Sequence, residues 1–416
     1  MAKTPEELYR EKSRRIEDAV ELKRPDRVPF APVVHYFAAT YAGIGFQEIM
    51  YDYDKLGVAI KKMVSDLQMD ICPDTFRVLS WVRPLEALDY KLLKWPGHGL
   101  SPDVTFQFVE GEYMAAAEYD AFLRDPSDFL MRTYLPRICG TLEPLTMLRP
   151  LMFGWYTRLV SNLASFGRPE VITALESLIK AGKEAQIMIT KGSTFSKEMA
   201  ALGFPRQFSS SVAAPFDYVG DYLRGTRGIM LDMYRNPDKL LEACDKILPW
   251  MIEQATSIPK TEGINRVFIP LHKGLDGFMS LEQFKTFFWP TLKKLMLAII
   301  DAGLTPNPLF EGDCTSRLET IADMPRGKAI YWFERTDLAK AKEILGSDIC
   351  IEGGLPASLL CTGSPEDVRA YTKKLIETVG MGGGFIMNGE MGIPDEARVE
   401  NVRAMADSVR EYGVYN

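Results

Sequence analysis

Histidine is scarce in this chain, because only His35, His98 and His272 occur among 416 residues. A site built from several imidazoles is therefore nearly excluded, and any metal ion would also need carboxylate or thiolate ligands. The six cysteines form no CxxC pair and no closely spaced framework. This pattern is typical of a reduced protein, so we expect the chain to be cytoplasmic.

Long apolar runs and clusters of basic residues are also missing. No run approaches the roughly 18 apolar residues that a membrane span requires. The first residues, MAKTPEELYREKSRR, form a charged amphipathic pattern without the apolar core of a signal peptide. The net charge is −7 and the lysines and arginines are dispersed, whereas binding to phosphates needs a basic surface. We therefore expect neither a membrane nor a nucleic acid as a partner.

The second half of the chain alternates between apolar runs and amphipathic stretches with short connections. Its predicted strands are 267–271, 306–310, 329–333, 349–351 and 384–387, and its predicted helices are 280–302, 315–322, 337–345, 365–379 and 396–412. Strands joined through helices are parallel, which leaves a doubly wound sheet or a barrel. No strand is followed by GxGxxG or a P-loop, so we predict an α/β fold of the TIM (β/α)8 barrel type.

The first half is less regular. Residues 26–34 and 69–72 are predicted strands, and residues 169–203 form a long predicted helix. Residues 1–25 form a helical extension, and the Pro- and Gly-punctuated region of about 90–166 is an insertion or lid beyond the roughly 250 residues that a barrel needs. We therefore predict one domain over residues 1–416.

Polar residues stand where the predicted strands end. They are His272, Glu311 and Asp313, Glu334, Glu352, and Asn388 with Glu390. In a barrel the carboxyl ends of the strands open on one mouth, where such folds place their chemistry. An acid-rich rim can act as general acid or base, hold a metal ion, or bind a cationic substrate.

Each of these residues also has a structural interpretation. Glu334 and Glu352 could pair with Arg335 or a nearby Lys, His272 could pack in the core, and Cys314 could be a small buried apolar residue. The acids of Glu311-Gly312-Asp313 lie at a strand–helix junction. We predict Glu311, Asp313 and His272 as the catalytic residues, and the same three with Cys314 as candidate metal ligands.

A second set of residues is predicted to bind substrate. His98 lies between glycines in a loop, Tyr36, Phe310 and Trp332 fall on or beside predicted strands, and Glu390 follows the last strand. Aromatic side chains at such positions are usually core, but they can also line a pocket for a flat, apolar substrate.

Two C-terminal segments carry a resemblance to a known family. GGFIMNGEMGIPDEARVENVRAM at 383–405 and IEGGLPASLLCTGSPEDVRAYTKKLIE at 351–377 resemble the uroporphyrinogen decarboxylase superfamily. This superfamily contains porphyrinogen decarboxylases and corrinoid-dependent methyltransferases. The resemblance implies a TIM barrel with its site at the carboxyl mouth.

Departures from the family pattern indicate the branch. Porphyrinogen decarboxylases carry N-terminal arginines that bind the carboxylates of their substrate, but the matching stretch VPFAPVVHYFAATYAGIGF has none. Thiol-methylating members bind zinc through a His-x-Cys pair and a later Cys. Glu311 and Asp313 stand in place of that pair, and Met391 stands in place of the later Cys. The resemblance therefore implies the demethylating half-reaction rather than thiol methylation.

The implied function is that of an O-demethylase component, which transfers a methyl group from an aryl methyl ether to the cobalt of a corrinoid protein. Its cofactor would be cobalamin on that partner, and zinc on this chain is left open. The partners would be the corrinoid-binding protein and a small-molecule methyl donor, and a homodimer is compatible with the pattern. The alternatives are a decarboxylase acting on a smaller substrate and a non-catalytic scaffold.

Overall fold

The computed structural model describes residues 3–150, 155–257 and 264–415. Within these ranges the strands are β1 Leu93–Pro96, β2 Gly99–Leu100, β3 Gln107–Phe108, β4 Ser210–Ser211, β5 Arg266–Leu271, β6 Thr305–Phe310, β7 Ile330–Phe333, β8 Cys350–Leu355 and β9 Phe385–Gly389. Strands β4 to β9 form one sheet in chain order, and every pairing is parallel. The predicted α/β alternation of the second half is confirmed.

The α-helices of the described residues surround this sheet and fill the first half. They are α1 Pro5–Val20, α2 Phe37–Ala42, α3 Phe46–Tyr51, α4 Tyr53–Leu67, α5 Thr75–Leu79, α6 Val82–Glu86, α7 Tyr119–Arg124, α8 Pro126–Phe129, α9 Leu135–Ile138, α10 Tyr156–Leu163, α11 Pro169–Ala201, α12 Pro215–Tyr218, α13 Gly225–Arg235, α14 Pro237–Thr256, α15 Leu281–Gln283, α16 Trp289–Asp301, α17 Leu318–Ile321, α18 Leu338–Leu345, α19 Ala357–Thr362, α20 Pro365–Leu375 and α21 Val399–Tyr412. In these ranges no helix combines the length and apolar character that crossing a bilayer demands.

Short 3₁₀ and π turns interrupt or extend several helices. The 3₁₀ turns are Ala116–Glu118, Gly140–Met147, Ala164–Gly167 and Thr315–Arg317, and the π turns are Leu130–Tyr134, Val219–Arg224, Phe284–Phe288 and Ile376–Gly380. The helix predicted at 280–302 is broken by the third π turn. Pro290 lies just after that turn, and proline lacks the N–H that a continuous α-helix requires.

Two extended segments of the first half close the sheet into a barrel. Phe30 pairs in parallel with Met387 of β9, and Cys72 pairs in parallel with Arg206, which precedes β4. The two segments contact each other as well, because the backbone N of Asp70 donates to the O of Phe30 over 2.9 Å. Residues 28–34, residues 69–72 and the six strands therefore form eight parallel segments, which confirms the predicted TIM-barrel fold.

The barrel interior contains a buried polar group that the sequence analysis misplaced. Glu352 was predicted at the rim, but β8 continues to Leu355 and buries this carboxyl inside the barrel. Its two oxygens accept from Nδ2 of Asn388 over 2.8 Å and Nδ2 of Asn307 over 3.1 Å. Burial raises the pKa of Glu352 to about 7, against a smaller opposing effect of the two amides. Strand β8 can continue past Glu352 because the amides of Asn307 and Asn388 satisfy the buried carboxyl group.

The region predicted as an insertion lies beside the barrel mouth. Strand β1 pairs in parallel with β2 and antiparallel with β3. Residues of this small sheet and of its flanking loops, among them Leu93, Phe106 and Phe108, line a cavity at the mouth. Helix α11 follows and confirms the long predicted helix, ending at Ala201 instead of Gly203.

Replacing the buried acid gives a test of this interior. The pKa of Glu352 rises on folding from 4.5 to about 7, so the folded state binds a proton more tightly and the free energy of unfolding falls as pH rises through this window. We expect Glu352→Gln to remove up to about 3 kcal/mol of that fall between pH 4.5 and 7. Chemical denaturation at several pH values measures it. Glu319→Gln, at an exposed position, is the control and should keep the wild-type slope.

Candidate active site

The carboxyl ends of β5 and β6 bring a histidine and a carboxylate together. The register pairs Leu271 with Phe310, so His272 and Glu311 leave neighbouring strands at the same level of the barrel. Nε2 of His272 lies 3.5 Å from Oε1 of Glu311. The structure thus juxtaposes two of the three predicted catalytic residues, and their catalytic role remains a prediction.

Two further acids hold this histidine from behind. Asp217 lies on α12, and Asp221 lies one helical turn later, in the π turn Val219–Arg224. The oxygens of Asp217 accept from the backbone N of His272 and of Lys273, each over 3.0 Å. Asp221 binds Nδ1 of His272 over 2.6 Å and forms an ion pair with Nζ of Lys273. The strand end is therefore clamped through both its backbone and its side chains.

This clamp sets the protonation of the cluster. Burial alone would lower the pKa of His272, but the hydrogen bond to Asp221 and the charges of Asp217 and Glu311 raise it to about 9. Burial, and then the charge of Asp221, raise the pKa of Asp217 to about 7. Burial would raise the pKa of Asp221 too, but the hydrogen bond with His272 lowers it. At neutral pH His272 is therefore an imidazolium, with Nδ1 donating to Asp221 and Nε2 directed to Glu311.

The cluster forms one side of a large cavity at the mouth. The cavity has a volume of ≈ 870 Å³ and includes His272, Lys273 and Asp221 in its wall. Most of its remaining surface is apolar, and its aromatic lining consists of Trp81, Tyr90, Phe106, Phe108, Tyr218, Tyr222 and Phe268. A space of this size with a few convergent polar groups is typical of a small-molecule site.

A second histidine faces this cavity. His35 follows Val34, at the end of the first barrel segment, and lines the same wall. Burial lowers the pKa of His35 to about 4, so its imidazole is neutral at neutral pH. His35 directly follows the predicted strand 26–34, as His272 follows strand 267–271, so its position in the sequence is also typical of a site residue.

Asp313 and Cys314, although adjacent to this cluster in sequence, take no part in it. Asp313 is exposed, and its Oδ1 accepts from the backbone N of Thr315 over 2.8 Å. The Cys314 thiol is buried, and burial raises its pKa to about 12. Gly312 adopts a φ of +71° between Glu311 and this pair, so the chain reverses direction and the two side chains leave the site.

The predicted metal site does not form from these residues. In residues 3–150, 155–257 and 264–415, no three His, Cys, Asp or Glu side chains are arranged to hold a metal ion. Of the four predicted ligands, only His272 and Glu311 approach each other, and Nδ1 of the histidine is engaged by Asp221. A neutral buried thiol is also a poor zinc ligand, since the thiolate is the form that coordinates. These residues therefore do not fit a zinc ion.

The residues predicted to bind substrate lie outside the cavity lining. The ring of His98 stacks on Trp95 with centroids 4.1 Å apart. The hydroxyl of Tyr36 accepts from the backbone N of Phe106 over 3.2 Å, so it supports the wall from behind. The carboxylate of Glu390 accepts from the N of Ala357 over 3.2 Å.

The strand aromatics Trp332 and Phe310 also lie below or behind the cavity. Nε1 of Trp332 donates to the O of Gly389 inside the barrel, and its ring centroid lies 6.1 Å from that of Phe268 in the cavity wall. Phe310 packs on Phe333 with centroids 5.3 Å apart. Alternate residues of a strand face opposite sides, so Phe310, which packs on Phe333, lies on the side of the sheet opposite to Trp332.

Glu334 takes the structural role that was its alternative interpretation. Its carboxylate accepts from the backbone N of Gly312 over 2.5 Å and lies 3.3 Å from Nε of Arg335. It therefore braces the turn that carries Glu311. The structural reading of this residue is confirmed.

Comparison with known proteins supports the family resemblance. The eight-segment barrel with an acid–histidine cluster at its carboxyl mouth defines a TIM-barrel enzyme. A family model described as uroporphyrinogen decarboxylase matches residues 206–412, just under half of the chain. This match confirms the resemblance to the uroporphyrinogen decarboxylase superfamily that the C-terminal motifs carry.

Curated relatives named uroporphyrinogen decarboxylase match over part of their length. The one from Chlorobium phaeobacteroides is 27% identical over 141 residues, which are 33% of this chain and 39% of the relative. That from Actinobacillus succinogenes is 26% identical over 184 residues, or 43% and 50% of the two chains. That from Methylococcus capsulatus is 31% identical over 118 residues, or 28% and 33%. The matches thus cover half or less of these relatives.

A solved structure extends the likeness to the whole fold. A methyltransferase from Methanosarcina mazei superposes with a TM-score of 0.62 over 96% of this chain and 98% of that chain, at 14% sequence identity. At this identity the likeness concerns the fold alone, and it agrees with the barrel described above.

The charge of His272 can be measured directly. We expect Asp221→Asn to lower the pKa of His272 by about 1–3 units, because the variant loses the anion that faces Nδ1. With three histidines in the chain, NMR titration of the imidazole signals resolves the change. Asp313→Asn removes a neighbouring acid that does not touch His272 and should leave its pKa unchanged. An equal shift in both variants would contradict the clamp.

Proposed function

We propose that this chain is the methyltransferase component of a corrinoid-dependent O-demethylase, with an aryl methyl ether as methyl donor. The observation that carries the proposal is the position of His272, held between Asp221 and Glu311 at the wall of an aromatic cavity. The methyltransferase name of the Methanosarcina mazei neighbour supports the proposed branch.

The cavity suits the aryl part of such a donor. Its aromatic walls can hold a benzene ring by offset or edge-to-face contacts, which are worth about 0.5–1.5 kcal/mol per pair beyond area burial. Ring packing in the cavity would set the ether oxygen beside Nε2 of His272, a cavity-lining residue with 39% of its side-chain surface accessible. The protein thus would fix the donor and its proton source in one place.

The hard step in ether demethylation is loss of an oxygen leaving group. As the methyl–oxygen bond breaks, its electron pair goes to the aryl oxygen, which takes the proton of Nε2 of His272 and leaves as a phenol. A phenol has an ordinary pKa of about 10, close to the pKa of about 9 of His272, so proton transfer is nearly balanced, as efficient general acid catalysis requires. The carboxylate of Glu311 would stabilise the imidazolium, and after the phenol leaves the neutral ring would take up a proton from solvent.

The methyl acceptor would come from outside this chain. A reduced corrinoid carried by a partner protein would supply the electron pair that takes the methyl group. The accessible edge of His272 and the open mouth fit an acceptor that approaches from the solvent side. The corrinoid protein, its docking at this mouth, the cytoplasmic location and a homodimer remain proposals.

Reconstitution with a reduced corrinoid protein and a panel of methoxyarenes tests the function. We expect phenol release that depends on the corrinoid protein, measured by chromatography. Release of carbon dioxide from aromatic or aliphatic acids without corrinoid would instead support the decarboxylase alternative. Absence of both products across the panel, with no ligand bound in the cavity, would support a scaffold.

A leaving-group series tests the role of His272. His272→Asn should lower the rate about 10²–10⁴-fold for a methyl ether of an ordinary phenol, because a general acid contributes about this factor. The loss should shrink for ethers of nitrophenols, whose oxygen leaves without a proton. Asp313→Asn is the control and should keep the wild-type rate. A uniform loss across all leaving groups would contradict proton donation by His272.

A further inference from the structure

One cation in the cavity wall has no role in the proposed chemistry. Arg77 lies on α5, directly after the second barrel segment, and lines the same cavity as His272. Its Nη1 donates to Oγ of Ser211 over 3.2 Å, and its Nη2 forms an ion pair with Asp74. Its Nε is buried and has no hydrogen-bond partner in the part of the chain that the structure describes. Buried donors are normally satisfied, so this guanidinium retains a donor for another group.

The charges around Arg77 leave a positive excess. Asp74 is shared, because its Oδ1 also lies 3.2 Å from Nε of Arg206. One carboxylate therefore faces two guanidinium groups. A partly buried cation that is incompletely matched is stabilised by an anion that enters beside it.

The other charged residues of the cavity wall are already paired. Lys273 is paired with Asp221, and Glu110 is bound to the backbone N of Thr226, so neither is available to match Arg77. The acids Asp217, Asp221 and Glu311 surround His272 and Lys273 and match the charge on that side of the cavity. The excess of positive charge is therefore local to Arg77, and that end of the cavity favours an anionic group.

The topology places Arg77 two barrel segments away from His272 along the cavity wall. Arg77 follows the second barrel segment, Ser211 belongs to the third at β4, and His272 follows the fourth at β5. Neighbouring strands lie about 4.8 Å apart, so the second and fourth are separated by roughly 10 Å. A benzene ring with substituents at opposite positions has this scale. The wall between them is apolar at Val212 and Phe268.

We propose that Arg77, together with Ser211, is a carboxylate anchor, and that the methyl donor is a methoxylated aromatic carboxylate whose carboxylate lies remote from its ether oxygen. The free Nε–H of the guanidinium would donate to the carboxylate, and the hydroxyl of Ser211 would orient it. This inference rests on the proposed function for the role of the ether oxygen, whereas the anchor itself acts in binding alone.

Equilibrium binding measured by calorimetry, without any corrinoid protein, tests the anchor. The probes are 4-methoxybenzoate, 4-methoxybenzamide and methoxybenzene. We expect the wild-type protein to bind the carboxylate about 10- to 100-fold more tightly than the amide, the range of a hydrogen bond to a charged group. Arg77→Gln should abolish this preference, and Ser211→Ala should reduce it several-fold. Arg326→Gln, an equal loss of charge at an exposed position before β7, should leave it intact.

The outcomes separate the anchor from the transfer reaction. Equal binding of carboxylate and amide, a preference that survives in Arg77→Gln with a native circular dichroism spectrum, or no binding of any probe would overturn the anchor. If Arg77→Gln does not fold, Ser211→Ala decides, because it deletes one hydroxyl only. Arg77-dependent binding without phenol formation would retain the anchor and refute the demethylase. Phenol formation from methoxybenzene and 4-methoxybenzoate at equal kcat/KM would retain the demethylase and refute the anchor.

Discussion

The acid clamp on the end of β5 is the interaction on which the site depends. Asp217 accepts from two consecutive backbone N–H groups, and Asp221 binds the side chains of the same two residues. A peptide turn that leaves a strand would otherwise have several arrangements, each with unsatisfied donors. The two acids select one of them, direct Nε2 of His272 to the mouth, and keep the ring charged. Orientation and protonation therefore have one physical cause.

The polar interior of the barrel supports this arrangement from below. Glu352 on β8 is held by two asparagine amides, one from the adjacent strand β9 and one from β6, two strands away. Trp332, in the strand between, binds the backbone of β9 and packs on Phe268, which is part of the cavity wall. The side chains that fill the barrel interior thus also form the base of the cavity. A buried network of this kind specifies one strand register, because a slip would leave its donors and acceptors unpaired.

The cavity is chemically asymmetric, and this asymmetry limits what can bind. One side carries His272 between acids, and another carries Arg77 with one shared carboxylate. Aromatic side chains separate the two. A flat ligand with one anionic end satisfies both sides at once, whereas a polyanion would meet the acids and a plain cation would meet Arg77. A ligand that lacks one of these groups would leave one polar side of the cavity without a partner. This penalty would provide the specificity.

Hydrophobic periodicity and strand ends are local properties, so the sequence alone predicted the α/β alternation, the barrel class and the strand-end positions of His272 and Glu311, and its motifs carried the superfamily resemblance. It could not determine which strand-end groups share a cavity. Glu352 turned inward because Asn307 and Asn388, distant in the chain, satisfy its carboxyl group. Asp217 and Asp221 became part of the site only when their helix packed behind β5. Arg77 and His35 came from the irregular first half, whose short segments close the barrel through long-range pairing that no local pattern encodes.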